Sequence, residues 1–238
     1  MDVLPAIDLL DGKAVRLHQG RYDAVTVYAD DPAALAATLR GKVPVLHVVD
    51  LAGARAGHAV QKELVQAIVA AFGPGVQVGG GVRSLAAVES YFALGAARVV
   101  LGTAAVRDPG LVRAAALGWP GRVVVALDAK DGLVALDGWE QLSTRTAVEV
   151  AASFAGLPIA AFLYTDVARD GTQVGPNLEA TRELAAVAPA PVLASGGVGT
   201  LSHLRALAAL GNVAGAIVGR ALYERAFTLE EALAAARG

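Results

Sequence analysis

The sequence contains no cysteine and a single methionine among 238 residues. The first absence excludes disulfides, thiolate metal sites and cysteine nucleophiles, and it fits a cytoplasmic protein. No uncharged apolar run approaches the length needed to cross a membrane, and Met1-Asp2-Val3-Leu4-Pro5 is not a signal peptide, so no membrane partner is expected. There is no basic stripe, and the formal net charge is −2, which argues against nucleic acid. Any anionic ligand must therefore be held by local groups. Only 18% of the residues are charged against 55% hydrophobic, the balance of a compact chain with ample material for a core.

What is present is an alternation. Short apolar runs rich in Val, Ile, Leu and Ala predict strands at 3–8, 45–50, 76–78, 98–101, 123–127, 160–164, 191–194 and 214–218. Amphipathic stretches between them predict helices at 32–39, 62–72, 85–94, 109–117, 147–154, 178–187, 202–210 and 229–235. Continuously apolar strands separated by helices imply a parallel sheet covered on both faces. Eight such units in one α/β chain predict a closed (β/α)8 TIM barrel, with a doubly wound open sheet as the structural alternative.

An internal repeat favours the barrel. Ala6-Ile-Asp-Leu-Leu-Asp-Gly12 resembles Ala126-Leu-Asp-Ala-Lys-Asp-Gly132, and Val78-Gly-Gly-Gly-Val-Arg-Ser-Leu85 resembles Ala194-Ser-Gly-Gly-Val-Gly-Thr-Leu201. Leu101-Gly-Thr-Ala104 likewise matches Val218-Gly-Arg-Ala221. The chain reads as two half-barrels, about 1–120 and 121–238, within one domain. Two consecutive strand-to-helix turns, at Ser195-Gly-Gly and Gly219-Arg220, bring bare backbone N–H groups and helix N-termini toward one point. That is an anion site, with phosphate its usual occupant, unless the glycines only make tight turns. If the halves are equivalent, a second site lies opposite, and a small molecule with two phosphates follows.

Asp8 and Asp128 close equivalent strands at the end where barrel active sites lie. Facing each other across the mouth, they suit a reaction that needs a general base and a general acid. In each Asp-x-x-Asp-Gly segment the second aspartate, Asp11 or Asp131, is the better turn residue. Asp50 and Asp166 also end strands, with Thr165 beside the latter and Asp170 four residues on; each is either a cap or turn residue, or a group that orients a base or binds a hydroxyl or phosphate. Strand parity with Asp50 predicts that His47 faces the helices as a structural histidine. His18, His58 and His203 fall in loops or helix starts without metal-ligand spacing, so no metal is expected. No lysine lies within a strand, Ser195 sits in no nucleophile elbow, and the glycines lack Rossmann spacing; these disfavour a Schiff-base aldolase, a serine hydrolase and a dinucleotide. Trp139, on a loop beside Gly138, either stacks on a planar heterocycle or packs on a neighbouring loop. Arg16 and Arg83 either reach a phosphate or hydroxyl or are solvated surface charges.

Several segments together resemble one family. They are Pro5-Ala-Ile-Asp-Leu-Leu-Asp-Gly-Lys-Ala-Val-Arg-Leu17, His47-Val-Val-Asp-Leu-Ala-Gly-Ala54, Gln77-Val-Gly-Gly-Gly-Val-Arg-Ser84, Gly102-Thr-Ala-Ala-Val106 and Leu127-Asp-Ala-Lys-Asp-Gly132. Gly138-Trp139, Tyr164-Thr-Asp-Val-Ala-Arg-Asp-Gly-Thr172, Ser195-Gly-Gly-Val198 and Val218-Gly-Arg-Ala-Leu-Tyr223 complete the pattern. The chain looks like the phosphoribosylformimino-aminoimidazole carboxamide ribotide isomerases of histidine biosynthesis along essentially its whole length. The resemblance implies an Amadori rearrangement of an aminoaldose to an aminoketose, on a substrate with a phosphate at each end and without a cofactor. It implies Asp8 as proton acceptor and Asp128 as proton donor, with Thr165 supporting the acid step and Asp170 matching an aspartate sometimes given the acid role. Gly81, Gly102 and Thr103 match one phosphate site; Gly171, Gly197, Gly219 and Arg220 match the other. Trp139 matches a loop residue that closes on the heterocycle. Gln61 departs from the family's usual asparagine, and His18 and His58 from its usual loop residues.

Three rival readings stand beside this one. The cyclase subunit of imidazole glycerol phosphate synthase shares the paired aspartates, but it should carry lysine in place of Arg16 and asparagine in place of Gly102. A dual isomerase would also accept phosphoribosyl anthranilate. A non-catalytic phosphate-ligand barrel would not need either strand-end aspartate. A monomer is expected, since the barrel closes its own sheet.

Overall fold

The computed structural model describes residues 1–18 and 20–237, and of His18 the backbone only. In chain order the first half runs β1 (Asp2–Leu10), β2 (Lys13–His18), β3 (Arg21–Ala29), α1 (Pro32–Leu39), β4 (Leu46–Asp50), α2 (Leu51–Ala56), α3 (Lys62–Phe72), β5 (Val76–Gly79), α4 (Leu85–Ala93), β6 (Arg98–Leu101), α5 (Ala104–Arg107) and α6 (Pro109–Gly118). The second half runs β7 (Val123–Lys130), β8 (Leu133–Leu136), β9 (Gln141–Thr146), α7 (Ala147–Ala152), β10 (Ala161–Asp166), α8 (Leu178–Val187), β11 (Val192–Ser195), α9 (Leu201–Ala208), β12 (Val213–Val218), α10 (Arg220–Tyr223) and α11 (Leu229–Arg237).

Eight parallel strands close on themselves in the order β1, β4, β5, β6, β7, β10, β11, β12, with β12 returning to β1. The chain is thus a (β/α)8 barrel, and the open-sheet alternative falls. All eight barrel strands coincide with the predicted runs, and α1, α3 and α8 begin and end where their amphipathic stretches do. Those boundaries have local causes. Asp31 caps α1 through Ala34 N with Pro32 at the first helical position, and Asn177 caps α8 through Ala180 N. Among the described residues no helix is long and apolar enough to cross a membrane.

Side chains alternate between two apolar layers. Leu4, Ala6, Val100, Val124, Ala126, Ala161, Leu163, Leu193 and Ile217 point inward and fill the barrel. Leu46, Val48, Val76, Val78, Val99 and Leu101 point outward against helix residues such as Val65, Ile68 and Tyr91. Each fully buried aliphatic side chain of this kind contributes about 1.5–3 kcal/mol.

The two Asp-x-x-Asp-Gly turns legible in the sequence carry hairpins that extend β1 and β7, and the returning strands lie outside the predicted runs. β1 turns through Asp11-Gly12 into β2, and β7 turns through Asp131-Gly132 into β8, with φ of 50° and 80° in the first turn and 52° and 83° in the second. Positive φ at both turn positions is the type I′ geometry that Asp-Gly favours and that continues the strand twist. Hairpins of this size are marginal alone and depend on the barrel they grow from. Both rise above the C-terminal mouth and wall it. The short helices α2, α5 and α10 likewise lie outside the predicted stretches, and α10 is a single turn rather than a full helix.

Candidate active site

Asp8 and Asp128 emerge inward at the mouth and line one cavity of about 220 Å³. Asp8 is in register with Val49 of β4, and Asp128 with Thr165 of β10, so Thr165 shares the inward face of the second carboxylate. The predicted pair is therefore brought together, each member from the first strand of its half. Their surroundings differ. Arg16, on β2, donates from Nη1 to Asp8 Oδ2 at 2.8 Å and from Nη2 to both carboxylate oxygens of Asp170. Burial disfavours the guanidinium, but Asp170 and Asp8 outweigh it and leave Arg16 more firmly protonated than a free arginine. Arg16 is thus a buried bridge between two carboxylates, not a solvated charge; among the described residues its Nε has no partner.

Asp128 meets neutral donors instead. Burial pushes its carboxyl above the usual carboxylate range, hydrogen bonds from Trp139 and Thr165 pull it back in part, and Asp170 adds to the rise. Trp139 Nε1 donates to Asp128 Oδ2 at 2.9 Å. Asp170 is also raised by burial, but its oxygens are occupied by Arg16, whose charge favours the ionised form.

Trp139 lines the same cavity as the two aspartates. It sits in the β8–β9 turn, reaches over the cavity to the acid, and brings its ring against Gly20, where a Cβ would lie 2.6 Å from the indole. The turn is unusual, because Asp137, Gly138 and Trp139 all have positive φ, at 52°, 68° and 74°. Such backbone costs on the order of 1–3 kcal/mol per non-glycine residue and persists only where surroundings over-determine it. Here Asp137 supplies the anchors. Its N–H donates to Thr103 Oγ1 at 2.9 Å, and its carboxylate accepts from Arg83 at 3.2 Å and Arg107 at 2.5 Å. Thr103 and Arg83 therefore lie beside the cavity, held to this turn. Neither Asp137 nor Arg107 stands out in the sequence, because their partners lie 30 to 54 residues away.

The glycines divide into two kinds. Gly80 and Gly196 have φ of 109° and 89°, and a Cβ would lie 2.1 Å from Asp50 O in the first case and 2.7 Å from Asp166 O in the second. Gly81 and Gly197 are equally tight against backbone. These glycines are required by the turns themselves. Gly102 and Gly219 are not: a Cβ would make only ordinary contacts, at 3.8 Å to Ala126 and 3.6 Å to Arg16. Their missing side chains leave space in the mouth. Gly102 and Thr103 border the main cavity on the first-half side together with Gly81 and Arg83. Gly171, Gly197, Gly219 and Arg220 border an adjoining recess on the second-half side. The Arg220 guanidinium is held at the recess edge by Gly171 O at 2.6 Å and Glu224 at 2.6 Å.

Asp50 and Asp166 resolve as loop anchors. Asp50 faces outward and accepts from Gly53 N at 2.8 Å, Val60 N at 2.8 Å, Gln61 N at 3.0 Å and Gln61 Nε2 at 3.1 Å. Asp166 accepts from Arg169 N at 3.2 Å and Asn177 Nδ2 at 2.8 Å. Asp50, Gln61 and Gly80 recur 116 residues on as Asp166, Asn177 and Gly196, so the repeat extends to the contacts beneath the site. Gln61 keeps the anchor that Asn177 makes in the other half. Its longer side chain reaches back to Asp50 and leaves α3 without a side-chain cap.

His47 is placed opposite to expectation. The parity with Asp50 holds, but Asp50 turns out to cap α2, which sends His47 inward. His47 is in register with Ala6, lines the cavity, and lies 3.0 Å through Nδ1 from Gln77 Nε2. Gln77 is a further inward polar residue that the sequence pattern does not single out.

The profile of the family described as histidine biosynthesis protein matches residues 2–228. A 1-(5-phosphoribosyl)-5-((5-phosphoribosylamino)methylideneamino) imidazole-4-carboxamide isomerase from Sorangium cellulosum is 70% identical over 239 residues, covering 99% of each chain. Isomerases of the same name from Geotalea daltonii and Cereibacter sphaeroides are 48% and 49% identical over at least 98% of both chains.

Proposed function

The chain belongs to the histidine biosynthesis protein family, and on that premise we propose that its barrel mouth converts the bisphosphorylated aminoaldose named by its relatives into the aminoketose. It is an isomerase of histidine biosynthesis, and the relatives' names leave no call for the cyclase or binding-protein readings. The observation that carries the site assignment is the pair of strand-end aspartates in one cavity, one beside a cation and one beside neutral donors. Asp128, its carboxyl raised by burial, is the acid that protonates the ribose ring oxygen and opens the ring to an iminium. Asp8 then takes the proton from ribose C2. The electrons flow into the substrate's own iminium to give an enolamine, which becomes the aminoketose as the C2 hydroxyl loses its proton and C1 gains one, so no cofactor is needed. Asp170 holds Arg16 rather than serving as the acid.

The phosphates are assigned to Gly81, Gly102 and Thr103 on one side and to Gly171, Gly197, Gly219 and Arg220 on the other. Thr165 supports the acid, and Arg16, Arg83 and Trp139 complete the substrate contacts. The protein acts as a single-domain cytoplasmic monomer on a small molecule, without nucleic acid, membrane or metal. Paired steady-state kinetics with the aminoaldose and with phosphoribosyl anthranilate test the reading. Turnover of the first is expected. Turnover of both makes the chain a dual-substrate isomerase, and turnover of neither contradicts the proposal.

A further inference from the structure

His47 and Gln77 form a polar pair inside the barrel wall that the rearrangement as written above does not use. They are register partners on β4 and β5, and His47 is also in register with Ala6, two residues before Asp8 on β1. The imidazole therefore sits beside the base, one pleat deeper. Gln77 is fully buried, and among the described residues its Oε1 has no partner while its Nε2 faces His47 Nδ1. Buried polar atoms are rarely left unmatched, and here the unmatched carbonyl accompanies a fixed imidazole orientation. Gln77 Nε2–H donating to Nδ1 at this 3.0 Å separation is the arrangement that leaves the ring proton on Nε2. Nε2 has no partner among the described residues, and His47 lines the cavity that holds Asp8 and Asp128. Burial, and then the Arg16 guanidinium, push the imidazole down to about 4, so it is a neutral donor at neutral pH.

We propose that His47 Nε2–H donates a hydrogen bond to the C2 oxygen of the opened ribose, and that Gln77 is the positioning residue that fixes the imidazole for this contact. The inference rests on the isomerase reading. The bond strengthens as the C2 hydroxyl of the enolamine loses its proton on the way to the ketose carbonyl, when negative charge gathers on that oxygen. His47 neither gives up nor takes a proton in this role.

Two substitutions separate substrate contact from structural support. His47→Asn keeps an amide near Nδ1 for Gln77 and removes the Nε2 position; His47→Gln places an amide near Nε2. Loss of a contact made in the transition state lowers kcat/KM of His47→Asn by about 10- to 100-fold, with kcat carrying the loss and the unfolding midpoint little changed. His47→Gln recovers much of that rate. Nitrogen-15 NMR should find the His47 proton on Nε2, with that signal moving when the aminoaldose binds the Asp8→Asn variant. Wild-type kcat/KM in His47→Asn, or a ring proton on Nδ1, overturns the inference while leaving the isomerase reading intact. No turnover of the aminoaldose by the unmutated chain overturns the isomerase reading and this inference with it.

Discussion

Asp8 and Asp128 are one residue type at equivalent strand ends, and their neighbours set them apart. Asp8 shares the charged bridge of Arg16 with Asp170, whereas among the described residues Asp128 has the Trp139 indole and the Thr165 hydroxyl to stabilise its anion. That difference predicts a pH effect in the free enzyme. The Trp139 N–H favours the ionised form of Asp128, so Trp139→Phe removes a force holding the carboxyl down and its pKa rises further. An acid that must be protonated then stays so to higher pH, and the alkaline limb of the kcat/KM profile moves up. A limb that stays or moves down would show that this hydrogen bond does not act on the acid. Arg16 shows why the residue scale is only partly legible in a sequence. An arginine after an apolar strand reads equally as surface charge or ligand contact, and its burial depends on Asp170, 154 residues away.

The β8–β9 turn and the glycine turns carry the predictions that belong to elements. Asp137 pins three consecutive left-handed residues through Thr103, Arg83 and Arg107. Asp137→Asn keeps a residue that tolerates positive φ and removes the charge. Trp139 should then leave Asp128 more often, and its fluorescence should become more accessible to acrylamide, with Trp139→Phe giving the background from Trp119. Because Arg83 and Arg107 are about half exposed, global stability should change by less than about 1 kcal/mol. Unchanged quenching would mean that Asp137 does not hold the turn. Among the glycines, Gly80→Ala forces a Cβ against Asp50 O at positive φ and should cost about 3 kcal/mol in urea unfolding. Gly219→Ala meets only ordinary contacts, so its stability should stay within about 1 kcal/mol while KM rises several-fold. Equal effects of the two substitutions would dissolve the distinction between turn glycines and site glycines. Both pairs of glycine turns are visible in the repeat, but which glycines the backbone needs depends on the neighbouring strand.

At the scale of the whole molecule, the eight barrel strands and the eight helices of the amphipathic stretches are legible because they have local causes: apolar runs, caps and period. The Asp-Gly turns of the hairpins are legible, but their returning strands escape because they are stabilised by the mouth they wall rather than by an apolar run of their own. His47 is misplaced because parity fixes which residues share a face, not which face looks inward. Asp50-x-x-Gly53 is a capping arrangement, and with Leu46 and Val48 apolar on its side it would have oriented β4 correctly. The Asp8–Asp128 pair is legible because the repeat places both at the same strand end, and the whole account turns on it. The measurement that tests the account most directly is therefore turnover and binding of the aminoaldose by Asp8→Asn. Loss of the base should lower kcat by about a hundred- to ten-thousand-fold while Kd, measured by calorimetry, changes little. Weakened binding with the turnover of bound substrate retained would contradict the assignment.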